Sequence, residues 1–265
     1  MPKHPVQGTL GTGFAGPSGS PPAGAWRSNA QRAKPGGQLF ITGTDTEVGK
    51  TRVSAALLHW CAQQGWRSAG FKPVAAGLDA AGVNEDVQML RQASSLPMGD
   101  AEVGPLQFRA ACAPHIAAAL EARSIDMQAL LHQARALATR ADVLVAEGVG
   151  GFCVPLGPEL DTADLAQALG FPVLLVVGMR LGCISHALLT AEAIRARGLP
   201  LAGWVANTVD PHMAHLPANI DSLRHALQSR HQAPCLGVVP HLLDAHPAAV
   251  AAHLDAAALQ RIFAA

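Results

Sequence analysis

A chain of 265 residues, 49% hydrophobic and with a mean hydropathy of +0.22, is long enough for one well-buried domain or at most two small ones. Its 19 basic and 19 acidic residues cancel, which leaves no long-range field to hold a nucleic acid or an anionic membrane. The five cysteines, Cys61, Cys112, Cys153, Cys183 and Cys235, are scattered and form no C-x-x-C pair. They point to reduced thiols in a cytoplasmic protein and away from a disulfide framework or a zinc site.

Residues 1–37 are rich in Gly, Pro, Ser and Ala and have no apolar periodicity, so a disordered extension is expected there. It lacks the apolar core of a secretory signal; a targeting or partner-binding tail is the alternative. A single domain is expected over 38–265. Short apolar runs bounded by turns predict buried strands at 38–42, 68–74, 142–147, 172–177, 201–207 and 235–240. Helical spacing lies between them, at 50–64 before Gly65, 85–93, 115–121, 126–139, 162–169, 185–197 before Gly198, 217–230 and 248–263. Ser185 is the expected N-cap of its helix. The longest apolar run, "FPVLLVVGM" at 171–179, is about half a membrane span, so no transmembrane helix is expected. The alternation implies an α/β fold, a doubly wound, mostly parallel sheet with helices on both faces.

In such sheets ligands bind beyond the carboxyl ends of the strands, and the conspicuous polar residues fall at those ends. The first strand runs into "GTDTEVGKT" at 43–51. Its Gly-Lys-Thr and its place between strand and helix suit a polyphosphate, although the early glycine, Gly43, stands one residue before the position that the usual spacing requires. Lys50 would reach the outer phosphates and Thr51 would ligate Mg²⁺. One hydroxyl needs carboxylates beside it, and Glu147 and Asp86 are the candidates. The bland alternatives are a solvated rim acid for Glu147 and a helix first-turn acid for Asp86. Lys72, before Pro73, is either a cleft cation acting on a phosphoryl or acyl oxygen or a snorkelling surface lysine. His212 and His215 have metal-like spacing but no third ligand, and solvated loop histidines are expected.

Seven stretches, "FITGTDTEVGKT" (40–51), "AGFKPVAAG" (69–77), "APHIAA" (113–118), "EGVGGFCVPL" (147–156), "VVGMRLGCISHALLTAEAI" (176–194), "LAGWVANTVDP" (201–211) and "LGVVP" (236–240), occur in the order found in the dethiobiotin synthetase family. The chain after residue 37 closely resembles that family, of P-loop NTPase fold. The resemblance implies that 7,8-diaminopelargonate (7,8-diaminononanoate), CO₂ and Mg-ATP give dethiobiotin, ADP and phosphate, through a carbamate and a carbamic-phosphoric anhydride. It implies Thr46, Glu47, Lys50 and Lys72 at the catalytic centre. It implies ATP contacts from Glu47, Val48, Gly49, Lys50, Thr51, Arg52, Asp86, Glu147, Gly148, Val149, Gly150, Asn207, Thr208, Pro240, His241 and Leu242, with Asn207 reading adenine. Thr51, Asp86 and Glu147 would hold the metal. Lys72, Ala76, Gly150, Gly182 and Cys183 would bind the diamine acid, whose carboxylate suits the helix N-terminus after Gly182. A homodimer with substrate near the subunit interface is implied, with no nucleic acid or membrane partner. The sequence departs from the family at Ala76, where a serine is usual, and at Val149, where "GAGG" reads "GVGG". Two rivals share the fold. A cobyrinic acid a,c-diamide synthase needs a further glutamine-hydrolysing domain, for which the chain to Ala265 is expected to lack room. Partition-type switch ATPases carry an extra lysine where this chain has Thr44 and Asp45.

Overall fold

β1 (Gly37–Gly43) leads into α1 (Lys50–Gln63), and the alternation then continues through β2 (Ser68–Phe71), β3 (Val74–Ala76), α2 (Glu85–Ala93), α3 (Asp100–Val103), β4 (Leu106–Phe108), α4 (Pro114–Leu120) and α5 (Met127–Arg140). The second half reads β5 (Val143–Glu147), α6 (Thr162–Leu169), β6 (Val173–Gly178), α7 (Cys183–Ala196), β7 (Leu201–Asn207), α8 (Leu216–His231), β8 (Cys235–Val239), α9 (Pro247–Ala251) and α10 (Ala256–Ala264). This computed structural model describes residues 37–264. The extension expected over 1–37 lies outside the described residues except for Gly37, which already belongs to β1.

Six strands form one parallel sheet in the order β2-β5-β1-β6-β7-β8, and β3 and β4 form a small parallel pair of their own. The period-2 alternation of side chains decides the two faces. Leu39 and Ile41 of β1, Val143 and Val145 of β5, and Leu174 and Val176 of β6 pack with α1, α2, α9 and α10. Phe40, Leu144, Val173, Leu175 and Val177 pack on the other face with α5, α6, α7 and α8. Both layers are dry, so truncating a central residue such as Leu174 to Ala costs about 2–5 kcal/mol. Glu147 continues the Val143–Val145 face, and this alone turns its carboxylate toward the start of α1. No helix among the described residues is long and apolar enough to cross a membrane.

Three local expectations are corrected. The strand expected over 68–74 stops at Phe71: the Lys72 N–H bonds the Val103 carbonyl at 2.7 Å, and Pro73 has no N–H with which to continue the ladder. The helix expected over 248–263 is two. It breaks where the Asp255 N–H reaches the Leu236 carbonyl at 2.7 Å and Leu254 bridges Gly237 beside β8; Asp255 Oδ1 then accepts the Ala258 N–H at 2.9 Å and caps α10. The N-cap of α7 is Gly182, at φ 94°, not Ser185, which sits in the first turn. β4 and α3 are too short to leave a periodic signal.

Candidate nucleotide and cation site

The loop from Gly43 to Thr51 explains its own spacing. Val48 turns inward and is 1% exposed, and a Cβ on Gly43 would stand 2.6 Å from Val48 Cγ2. The early glycine therefore makes room for a buried apolar anchor beneath the loop. Gly49 has φ 87°, and a Cβ there would stand 2.2 Å from Asn207 Nδ2, so only glycine fits both demands. Asn207 Nδ2 donates to the Val48 carbonyl at 2.9 Å and ties the end of β7 to the loop. Glu47 takes a left-handed φ of 58° without being glycine, a strained conformation of the kind that concentrates at functional loops.

Lys50 is the first residue of α1 and is buried; its ammonium donates to the Asp45 carbonyl at 3.1 Å. Burial, with the charge of Lys72 nearby, brings its pKa from 10.5 down to about 8. Beside it, residues far apart in sequence meet. Lys72 Nζ lies 2.6 Å from Glu147 Oε1, 2.8 Å from Asp86 Oδ2 and 3.2 Å from the Gly148 carbonyl. Burial works against the Lys72 charge, but Glu147 and Asp86 outweigh it and hold its pKa above the ordinary lysine value. Burial likewise works against the Asp86 carboxylate, and Lys72 overcomes it and lowers the pKa. Lys72 is 2% exposed, which excludes the snorkelling alternative. Glu147 is wholly buried, so it is not a solvated rim acid.

Thr51 Oγ1 lies 2.6 Å from Asp86 Oδ1 and 2.8 Å from Glu147 Oε1. A single hydroxyl proton cannot satisfy both carboxylates at once, and the second Glu147 oxygen, Oε2, is buried with no hydrogen-bond partner. The unpartnered Glu147 Oε2, with the Asp86 carboxylate and the Thr51 hydroxyl beside it, makes a fitting set of hard oxygens for Mg²⁺. Among the described residues, this site included, no cluster of three or more His, Cys, Asp or Glu could hold a metal; the set here is two carboxylates and a hydroxyl. His212 and His215 are both exposed, as expected of loop histidines.

Lys50, Thr51, Lys72 and Asp86 line a cleft of about 1130 Å³. One end is formed by Thr46, Glu47, Gly49, Lys50, Thr51 and Arg52, with Lys72 and Asp86 beside them. Asn207, Thr208 and His241 stand on one side, Val149 and Gly150 on another, and Ala76 farther along. Thr208 Oγ1 is buried without a hydrogen-bond partner. Of the other expected residues, Val48 lies under the loop, and Glu147 and Gly148 are not part of the lining. Pro240 and Leu242 flank His241 without lining the cleft, and Leu242 packs on the core. Gly182 and Cys183 are not brought into this cleft, and the Cys183 side chain is 1% exposed.

Sequence reasoning missed the wall formed by Gly77 to Asp79 and Ala111 to Pro114, which follows from the unexpected β3–β4 pair. It also missed Asn84, whose Oδ1 caps α2 by accepting the Val87 N–H at 3.1 Å while Nδ2 donates to the Gly77 carbonyl at 2.8 Å. This bond sets the helix that carries Asp86, and the Asn-Glu-Asp run was the signal that could have found it.

A family model described as an AAA domain, AAA_26, matches residues 37–249. Among solved structures, the cell division ATPase MinD of Pyrococcus furiosus is similar at TM-score 0.52 and 17% identity, over 84% of this chain and 97% of that one. The signal recognition particle receptor FtsY of Elizabethkingia anophelis, in complex with GDP, follows at TM-score 0.49 and 14% identity; the match covers 88% of this chain but 66% of the receptor. MinD of Aquifex aeolicus stands at TM-score 0.49 and 12% identity, over 85% and 96%. The archaeal MinD likeness identifies the P-loop NTPase fold, and a fold does not carry an activity with it.

Proposed function

The chain belongs to the AAA_26 family of AAA domains, and from that premise we propose that it is a magnesium-dependent, ATP-using enzyme, a dethiobiotin synthetase. That family includes dethiobiotin synthetase. The observation that carries the reading is Lys72: a buried ammonium held by two carboxylates, in the same cleft as the phosphate loop. Burying a lysine is costly, and a nucleotide site already served by Lys50 gains from a second cation where further negative charge develops.

Lys50 and the N-terminus of α1 hold the outer phosphates of ATP. Thr51, Asp86 and Glu147 would hold Mg²⁺, which would supply neutralisation of phosphate charge. One amine of 7,8-diaminopelargonate adds to CO₂ and loses a proton, giving a carbamate. A carbamate oxygen attacks the γ-phosphorus, and the bond to the ADP oxygen breaks. The second amine attacks the carbamate carbon and loses its proton; the carbon–oxygen bond breaks and phosphate leaves as the ring closes. Lys72 stabilises negative charge on the carbamate and on its phosphorylated form. Ala76, Ala111, Ala113 and Pro114 offer an apolar wall that suits an aliphatic chain. Gly182 and Cys183 lie outside their own chain's cleft, so their contact with substrate falls to a second copy in a homodimer.

A switch ATPase is the second reading, on the fold likeness to MinD. Thr44 and Asp45, standing where partition-type switches carry an extra lysine, weigh against it. Phosphate release from Mg-ATP and bicarbonate, measured with and without the diamine, separates the two. Turnover that needs the diamine supports the synthetase; hydrolysis indifferent to it leaves the switch.

A further inference from the structure

A carboxylate is out of place in a loop built to receive polyphosphate, yet Asp45 sits two residues after Gly43. Three bonds hold it. Its backbone carbonyl takes the Lys50 ammonium at 3.1 Å, its Oδ1 takes the Thr46 N–H at 2.8 Å, and its Oδ2 pairs with the Arg180 guanidinium. Arg180 comes from the loop after β6, and the end of β6 itself is bonded twice to the phosphate loop: the Thr44 N–H bonds the Val176 carbonyl at 3.0 Å, and Thr44 Oγ1 accepts the Gly178 N–H at 3.3 Å.

We propose that Arg180 is a positioning residue of the nucleotide loop, holding the Asp45 carboxylate away from Lys50 so that Lys50 is free to meet phosphate. The inference rests on the nucleotide reading of this cleft. Lys50 already touches the backbone oxygen of Asp45. Released from Arg180, the Asp45 carboxylate can take the same ammonium as an ion pair and compete with the incoming phosphates. With Arg180 in place its charge is neutralised and turned outward, and Lys50 is held by a neutral carbonyl that a polyphosphate displaces. The Thr44 bonds fix the start of the phosphate loop against the end of β6, from which the Arg180 loop leaves, so the pair bridges segments whose origins are already held.

The test is titration of a fluorescent ATP analogue into the full chain, in wild type, Arg180→Ala, Arg180→Lys, Asp45→Asn and the Asp45→Asn/Arg180→Ala double variant, at low and high salt. Arg180→Ala is expected to weaken binding by up to about fivefold, the range of a half-exposed charge pair, with the loss shrinking as salt rises. Arg180→Lys recovers part of it. The double variant binds within about twofold of wild type, because no carboxylate remains to compete. Unchanged thermal midpoints separate positioning from unfolding. Arg180→Ala binding like wild type overturns the proposal. A double variant as weak as Arg180→Ala overturns it too, since Arg180 then acts on the nucleotide directly. A wild type that binds no nucleotide removes the nucleotide reading together with this one, whereas a wild type that binds beside an unaffected Arg180→Ala sinks this one alone.

Discussion

Lys72 and Arg180 are both cations held by carboxylates beyond the carboxyl edge of the sheet, but Lys72 is 2% exposed against a wholly buried Glu147, whereas Arg180 and Asp45 are 44% and 46% exposed. The same chemistry therefore works under two dielectric regimes. In the interior the desolvation of both ions is large and each is committed to the other. At the surface, water and salt screen the pair, and only small energies are left to steer a loop. On the function proposed above, the buried cluster would hold a charge for chemistry, and the exposed pair would adjust the loop that meets the nucleotide.

The largest effect expected from this contrast is at Lys72. Lys72→Met leaves Glu147 buried beside Asp86 without the cation bonded to both, and about 3–5 kcal/mol of stability is expected to disappear. Urea unfolding measures it, and diamine-dependent phosphate release is lost in the same variant. A loss below about 1 kcal/mol would put the buried Lys72 and the exposed Arg180 on the same footing and break the contrast. The contrast sharpens with Lys72→Met/Glu147→Leu. Removing both ions is expected to restore much of the stability of Lys72→Met, while turnover stays absent.

Cys61 shows burial acting on a charge with no partner. Its fully buried side chain has a thiol pKa pushed from 9.0 up to about 12. The folded state then holds a proton that the unfolded chain releases above about pH 9. Its contribution is complete below pH 9 and is lost as pH rises toward 12. At pH 10 the loss is about 1 kcal/mol, and Cys61→Ala is expected to unfold in urea with a flatter decline above pH 9 than wild type. An equal slope in the two proteins would remove Cys61 as the cause.

Smallest of all, Arg180→Ala is expected to shift the thermal midpoint by no more than about 2 °C, against the much larger drop for Lys72→Met. Scanning calorimetry of the two side by side ranks them; equal drops would deny that exposure sets the size of the effect.

Much of the fold could be read locally. The strand expected over 201–207 forms with those bounds, as do the helices over 85–93 and 162–169, because apolar period and flanking turn residues act over a few positions. Lys50, Thr51, Asp86 and Lys72 could be named as a candidate set, since each is polar where the pattern demands a strand end or a helix start. Their meeting could not be read. Lys72 and Glu147 stand 75 residues apart, and Thr51 and Glu147 96 apart. What brings them together is the sheet order that places β5 between β2 and β1.

By itself, then, the sequence determined the parallel α/β architecture, the phosphate loop and the residue types at its edge, because side-chain period and turn chemistry are properties of short segments. Tertiary structure alone decided that β2 ends at Phe71, that the last helix is two, that Val48 anchors the loop, and that Asp45 faces Arg180. Each depends on which backbone groups and charges of distant segments come within hydrogen-bonding reach, and no local pattern encodes that proximity.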